Sequence, residues 1–568
     1  MKPSRTLLMF LLIWLVINLV QALFTGLFND EAYYYFYSLD LDWGYYDHPP
    51  LIAIFIKLGY LIFRNELGIR FLFVLLSLGT ILVIHRLSEV KNELLFGALI
   101  FSFMIFQITG FLALPDSLLL FFTALFFFVY KRYSMTNSMK DAFLLGIVMA
   151  GMFYSKYLGV LIIFFTVISN YRLLLKRSFW LAVLVTTVLF LPHLFWQYRH
   201  DFPSFYYHLL ERSHDEMFRW SNFGDFIIGQ FGQVNPFLFI PILYFLIRFK
   251  PGNQYEKSLK VIALGSLLLP FLFMVKGRVE ANWTMAGLVP LFLIAFRVFE
   301  SRPKWYRYLY LTGGITALLV LLIRLLLIFD FLPEKYSIQH KSEIYGWKTF
   351  FRQVSNLAED RPIVFIGSYQ NPSQYIFSTG KEAFTFNNAI YRNNQFDLEG
   401  IEERLQGKEV MIIFSKNSIL EDDLNEYYDL MADSLAYPNG KYRQYKIEKD
   451  YRSFNFIKAD IIYQNHEFTA GTEVTIPVML KNPGEEPVLF NKAGAGKVFL
   501  TYLILQYGEP LLYEKCEDIS GLVLEGEYQT SFRMKVPEKP GVYYLKIAIK
   551  SGWLPPGINS RLYKIRVK

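Results

Sequence analysis

Residues 28–51 read FNDEAYYYFYSLDLDWGYYDHPPL and follow directly on an apolar run long enough to cross a membrane. Asp30 and Glu31 fall a few residues past that run, and Asp47-His48-Pro49-Pro50 leads into a further apolar stretch. Carboxylates at a membrane boundary act as general bases, hold metals or stay solvated, and spacing alone leaves all three open. Other charges recur in tight corners between apolar runs: Asp116 in LALPDSLLLFF, Lys156 in YSKYLG, and Lys276, Arg278 and Glu280 in VKGRVEANW. A charge at bilayer depth costs on the order of 3 kcal/mol on insertion scales, so it faces a polar cavity or a partner. Lys156 and Arg278 have headgroup snorkelling as an alternative; Asp116 is too short for that. His48 and His193 lie at the same edge. Acids and bases gathered at one depth suit one chemistry, in which cations hold a lipid-linked phosphate as leaving group while a carboxylate deprotonates an incoming hydroxyl. Tyr33, Tyr45, Tyr46 and Trp283 either stack on sugar rings or sit in the interfacial aromatic belt, which is the commoner role.

The rest of the chain must place these groups. Its 568 residues are 54% hydrophobic, 18% aromatic and only 19% charged, with a mean hydropathy of +0.28. That is the profile of a polytopic membrane protein carrying a water-soluble part. Roughly eleven apolar segments approach the ~20 residues of a spanning helix, centred on 7–24, 67–85, 94–112, 116–130, 142–154, 157–169, 179–195, 225–247, 259–275, 283–298 and 308–329. With the N-terminus inside, the cytoplasmic loops HRLSEVKNE, KRYSMTNSMK, NYRLLLKR, RFKPGNQYEKSLK and RVFESRPKWYR each carry at least two Lys or Arg, as the positive-inside rule requires. The net charge of +8 is thus explained by topology, with no nucleic-acid partner implied. Membrane localisation follows: an inner (plasma) membrane, multi-pass, with the polar cluster and the C-terminal region periplasmic or extracellular. The first segment, behind Lys2 and Arg5, resembles a signal peptide but lacks a small-residue cleavage site and reads as an uncleaved span. The single cysteine, Cys516, excludes an intramolecular disulfide framework.

The expected organisation is a transmembrane domain over 1–333, an α/β domain over 334–452 and a β-sandwich over 453–568. PIVFIG reads as a strand, and LEGIEERLQ and EDDLNEYYDLMADSL as polar helices. In the last part EVTIPVML and GVYYLKIAIK alternate apolar and polar positions between turn signals such as NPGEEP and EKPG.

The first loop resembles that of glycosyltransferase family 39, the bacterial relatives of dolichyl-phosphate-mannose protein mannosyltransferases and of the aminoarabinose transferase acting on lipid A. LPDSLLLFF, SKYLGVL, LPHLFWQYRHDFPSF and GRVEANW follow in that family's order and spacing, so the resemblance covers about residues 1–300. It implies a GT-C fold of about 11 transmembrane helices, with an outward-facing site that uses a polyprenyl-phosphate sugar donor and inverts the anomeric centre. By the same resemblance Asp30 matches the acidic position that acts as base or orients the acceptor, with Glu31 adjacent, and Asp116 matches the second acidic position. Lys156 and Arg278 are candidates for the lipid phosphate; Tyr45, Tyr46, His48, His193, Glu280 and Trp283 would line the cavity. The acceptor, whether lipid, glycan or protein, stays open, because the C-terminal sandwich has no counterpart to map. A divalent cation is compatible with this type of enzyme, but no ligand set follows. Two rivals stand beside the transferase. A lipid or glycolipid flippase would more often show broken helices at the midplane, and a binding module anchored by spans would need only one.

Overall fold

Polar caps start the apolar helices where the chain enters the bilayer: Ser4, Asn65, Asn92 and Ser138 each accept a hydrogen bond from the backbone N–H three residues on. The computed structural model describes residues 4–211, 220–274, 279–329, 346–415, 433–436, 442–462, 466–490 and 496–568. They fall into two compact units, Met1–Glu334 and Lys335–Lys568.

The first unit is helical. In chain order it contains α1 (Arg5–Phe24), α2 (Asn29–Leu39), α3 (Leu51–Ile62), α4 (Glu66–Ser88), α5 (Glu93–Ser102), α6 (Met104–Thr109), α7 (Pro115–Thr136), α8 (Met139–Ser155) and α9 (Gly159–Ser169). It continues with α10 (Arg177–Arg199), α11 (Pro203–Tyr206), α12 (Trp220–Gln233), α13 (Phe239–Arg248), α14 (Gln254–Met274), α15 (Leu288–Glu300) and α16 (Tyr306–Phe329). Among the described residues seven helices are long and apolar enough to cross a membrane, and four shorter apolar helices accompany them. The multi-span reading is borne out.

Two expected spans are not continuous. The run 94–112 breaks at Phe103, between α5 and α6, and the run 225–247 breaks between α12 and α13. Hydropathy does not register these breaks, because the interrupted backbone is satisfied inside the protein, as it must be away from water. Asn235 serves both. Its Nδ2 donates to Ser102 O at 3.0 Å and Thr316 Oγ1 at 2.8 Å, and its Oδ1 accepts from the N–H groups of Phe237 and Leu238. Met104 N also donates to Val234 O at 3.1 Å.

The second unit opens on a five-stranded sheet of β1 (Ile363–Ile366), β2 (Ala383–Phe386), β3 (Val410–Phe414), β4 (Asp433–Ala436) and β5 (Tyr442–Glu448), ordered β2-β1-β3-β5-β4. Strands β1, β2 and β3 are parallel, as the apolar, fully buried runs of an α/β layer should be. The PIVFIG strand and a helix within LEGIEERLQ (Ile401–Leu405) are present. The helix expected over EDDLNEYYDLMADSL is corrected at its end: Asp433–Ala436 pairs antiparallel with β5 as an edge strand, and residues 421–432 lie outside the described set.

Further on, a sheet of β6 (Lys458–Ile461), β8 (Glu473–Lys481) and β13 (Glu527–Lys535) shares a core with a sheet of β7 (Glu467–Phe468), β10 (Val498–Gln506), β11 (Glu509–Asp518), β14 (Gly541–Ser551) and β15 (Tyr563–Val567). Ile476, Val478 and Leu480 point inward from β8 as their alternation requires, and Tyr543, Leu545, Ile547 and Ile549 do so from β14. Strand β14 is buried on its second face as well. There Ala548 packs with Ala389 and Leu503, and Lys546 Nζ donates to Ala389 O at 2.9 Å.

Behind that sheet Glu402 accepts a hydrogen bond from Asn455 N at 2.9 Å, and burial pushes its carboxyl up to about 8. The folded state therefore keeps a proton that the unfolded chain releases near pH 4.3. The contribution of this group is fully present below about pH 4 and is lost as pH rises toward 8. Thermal melts of the protein across pH 5–9 are expected to show that loss, and Glu402→Gln should flatten it.

Candidate active site

Helix α2 starts at the acidic pair. Glu31 Oε2 reaches back to Phe28 N at 3.1 Å and closes the first turn. The same carboxylate is fully buried against the fully buried Arg70 of α4: Arg70 Nε donates to Oε1 at 2.8 Å and Nη2 pairs with Oε2. Arg70 spends its remaining donors on the carbonyls of Ala22, Thr25 and Gly26, and Ala113 N donates to Glu31 Oε1 at 3.0 Å. Every acceptor position of Glu31 is occupied by the fold. Asp30, one residue earlier, is exposed.

The Glu31–Ala113 bond ties the start of α2 to the corner that delivers Asp116. Asp116 sits in the first turn of α7, after Pro115, where the helix dipole favours a carboxylate. Lys156, at the C-cap of α8, donates to Asp116 Oδ1 at 2.7 Å, and both side chains are largely buried. Asn282 approaches Asp116 Oδ2 at 3.5 Å from the short helix Ala281–Gly287, whose N-cap is Glu280. The first, second and fourth motifs of the sequence thus converge. Trp283 packs edge-on to Phe273 at 5.7 Å. Arg278 lies outside the described residues.

The remainder of the first loop is a folded plug. Tyr37 stacks on Tyr45 at 4.3 Å and donates to Asp47; Tyr45 OH donates to Tyr37 O and Asp40 O, both at 3.0 Å. Tyr45 and Tyr46 are 1% and 4% exposed, so neither belongs to the aromatic belt; Tyr46 OH donates to Glu211 at 3.2 Å. Helix α10 clasps the plug from the side: Trp196 Nε1 donates to Asp42 Oδ2 at 2.6 Å, and His193 Nδ1 donates to Trp43 O at 2.7 Å while Nε2 accepts from Tyr157 OH at 2.9 Å. A Cβ on Gly44 would overlap the Trp196 indole and the His193 ring, which explains the glycine by close approach. His48 faces Tyr34 OH at 3.1 Å through Nε2, and its Nδ1 is buried with no partner among the described residues. Burial lowers the His48 imidazole to about 4, so it is neutral at pH 7. His208 Nε2 donates to Asp47 O at 2.9 Å. Arg70, Asn282, Tyr157 and His208 had not been singled out. Arg70 carried a usable signal, being a lone cation early in an apolar run and therefore in need of a partner. Among the described residues no three of His, Cys, Asp or Glu come together as a metal-ligand set.

Known proteins resemble this chain in sequence and in fold. Residues 47–196 match the dolichyl-phosphate-mannose-protein mannosyltransferase family. A lipid A galacturonosyltransferase, RgtD of Rhizobium johnstonii, is 28% identical over 316 residues, covering 52% of this chain and 65% of that protein. The match therefore spans just under two thirds of that relative's length. The crystal structure of apo ArnT from Cupriavidus metallidurans superposes with a TM-score of 0.57 at 13% identity, covering 77% of this chain and 97% of ArnT. The fold is that of a multi-span helical membrane protein, like ArnT's. Over residues 47–196 the chain is similar to that mannosyltransferase family, the kinship its first loop had suggested.

Proposed function

We propose that this protein is an inverting glycosyltransferase that moves a sugar from a polyprenyl phosphate to a lipid, glycan or protein acceptor on the outer face of the membrane. The observation that carries the reading is the division of labour between adjacent acids: Glu31 is locked to Arg70 and tied through Ala113 to the corner that delivers the Asp116–Lys156 pair, whereas Asp30 is exposed beside it. Asp30 takes the acceptor hydroxyl proton, the freed oxygen forms a bond to the anomeric carbon, and the carbon–oxygen bond to the phosphate breaks. Lys156, with Arg278, neutralises the departing polyprenyl phosphate, and Asp116 aims the Lys156 ammonium. The lipid A named in RgtD's description motivates an envelope acceptor here, and the β-rich second unit is assigned to handling it.

The test is release of polyprenyl phosphate from a radiolabelled polyprenyl-phosphate sugar pool by protein in nanodiscs, with and without an envelope lipid extract as acceptor. Wild type should release it only with acceptor. Lys156→Met should raise the donor KM at least tenfold, since a charge-assisted contact to phosphate contributes about 1.5–3 kcal/mol. The broken spans meeting at Asn235 favour one rival, a flippase. Movement of the labelled lipid across the bilayer without any cleavage would establish that reading instead.

A further inference from the structure

A cavity of about 530 Å³ with a mixed polar and apolar lining lies at the opposite ends of the same helices that carry the site. Arg70 and Asp116 sit near the starts of α4 and α7, while Ser88 and Lys131 of those helices line the cavity. At 1.5 Å per residue the separation along the axes is roughly 20–27 Å, about the thickness of a hydrocarbon core. The loops around it are the Lys/Arg-rich ones, on the face opposite the acidic first loop.

Its charges look balanced, but its unspent hydrogen-bonding capacity is not. Each carboxylate is already engaged. Glu89 accepts from Lys131 at 2.6 Å; Glu256 accepts from Gly252 N at 2.7 Å, from Asn253 Nδ2 and from Arg297; Glu300 Oε1 accepts from the backbone N–H groups of Lys91 and Asn92 at 2.8 and 2.9 Å. What remains, among the described residues, is a set of donors. The hydroxyls of Ser88 and Tyr255 are buried with no partner. The Lys91 ammonium is exposed and makes no ion pair, and Arg297 commits one nitrogen, Nη1, to Glu256 while its side chain stays 64% exposed. Leu87, Leu259, Leu293 and Ile294 supply an apolar wall beside them. Donors without acceptors, next to cations and an apolar wall at interfacial depth, fit an acceptor-rich anion.

We infer that this cavity binds a phosphate ester, with the phosphate oxygens on Ser88, Tyr255, Lys91 and Arg297. The chemistry is shared by an inner-leaflet phospholipid headgroup and by a water-soluble phosphate ester, and the experiment separates them. Thermal stability of the full-length protein in detergent is titrated with glycerol 3-phosphate in one arm and with dioleoyl phosphatidic acid in the other, dioleoyl glycerol being the phosphate-free control. The variants are Tyr255→Phe and Ser88→Ala, which delete hydroxyls that hold nothing else together and so should fold as wild type; Lys91→Gln is a third, exposed one. Saturable stabilisation by either phosphate ligand, absent with dioleoyl glycerol and weakened at least tenfold in apparent affinity by the hydroxyl variants, is the expected result. Binding of the lipid alone identifies a headgroup site; binding of both identifies a site open to water. No saturable shift, or one that the variants leave unchanged, overturns the inference and leaves a water-filled vestibule. Sugar transfer is not measured, so failure here is independent of the reading of the outer site.

Discussion

Asp30→Asn should leave a folded protein that has lost about 10²–10⁴ of its kcat, the range a positioned general base contributes. Asp30 is exposed in the first turn of α2, so an isosteric neutral side chain there disturbs little packing. What it removes is the acceptor for the hydroxyl proton. Loss of turnover with an unchanged melting temperature and an unchanged donor KM is the pattern to look for in single-turnover assays. A variant that keeps wild-type kcat would strip Asp30 of the role and return it to the solvated surface.

Glu31→Gln, one residue away, should fail differently. It leaves Arg70 charged, 0% exposed and without its carboxylate, a situation that typically costs 3–5 kcal/mol. The carboxylate also caps α2 and holds Ala113, so the loss reaches both ends of the site. The expected readout is a sharply lower melting temperature or loss of membrane-inserted protein. Arg70→Met alone should be comparably damaging, because it strands the opposite charge. The double variant should be less damaging than the sum, since neither charge is then left alone. A well-folded Glu31→Gln enzyme without turnover, beside an active Asp30→Asn, would exchange the two assignments.

The charged corners were legible in the sequence because apolar surroundings make a lone charge conspicuous. Asp116 and Lys156 were both found that way, and they meet at 2.7 Å. Their partner helix was harder. Arg70 obeys the same rule but stood inside a stretch read as a continuous span, so its pairing with Glu31 across 39 positions was not visible. The tyrosines of the first loop were readable as aromatic surface and became an interior instead, because Tyr37, Tyr45 and Asp47 satisfy one another's polar atoms. Alternation in β8 gave the correct buried face, whereas β14 is also covered on its second face, by a segment around Ala389 that no local pattern announces. The short edge strand β4 was mistaken for the end of a helix since four residues carry no usable period.

Asn235 also sets a timetable for biosynthesis. Ser102 O and Met104 N emerge at one break of the chain, and the groups that satisfy them, Asn235 Nδ2 and Val234 O, emerge about 130 residues later. At ribosomal rates of about 5–20 residues per second, that interval lasts roughly 7–26 s. During it the α5–α6 break sits beside lipid or the insertion machinery, with Ser102 O and Met104 N lacking the partners they have in the finished chain. Completion of the amino-terminal half must therefore wait for the second interrupted span, and a truncated chain ending before residue 234 would be a substrate for membrane quality control rather than a smaller version of the protein.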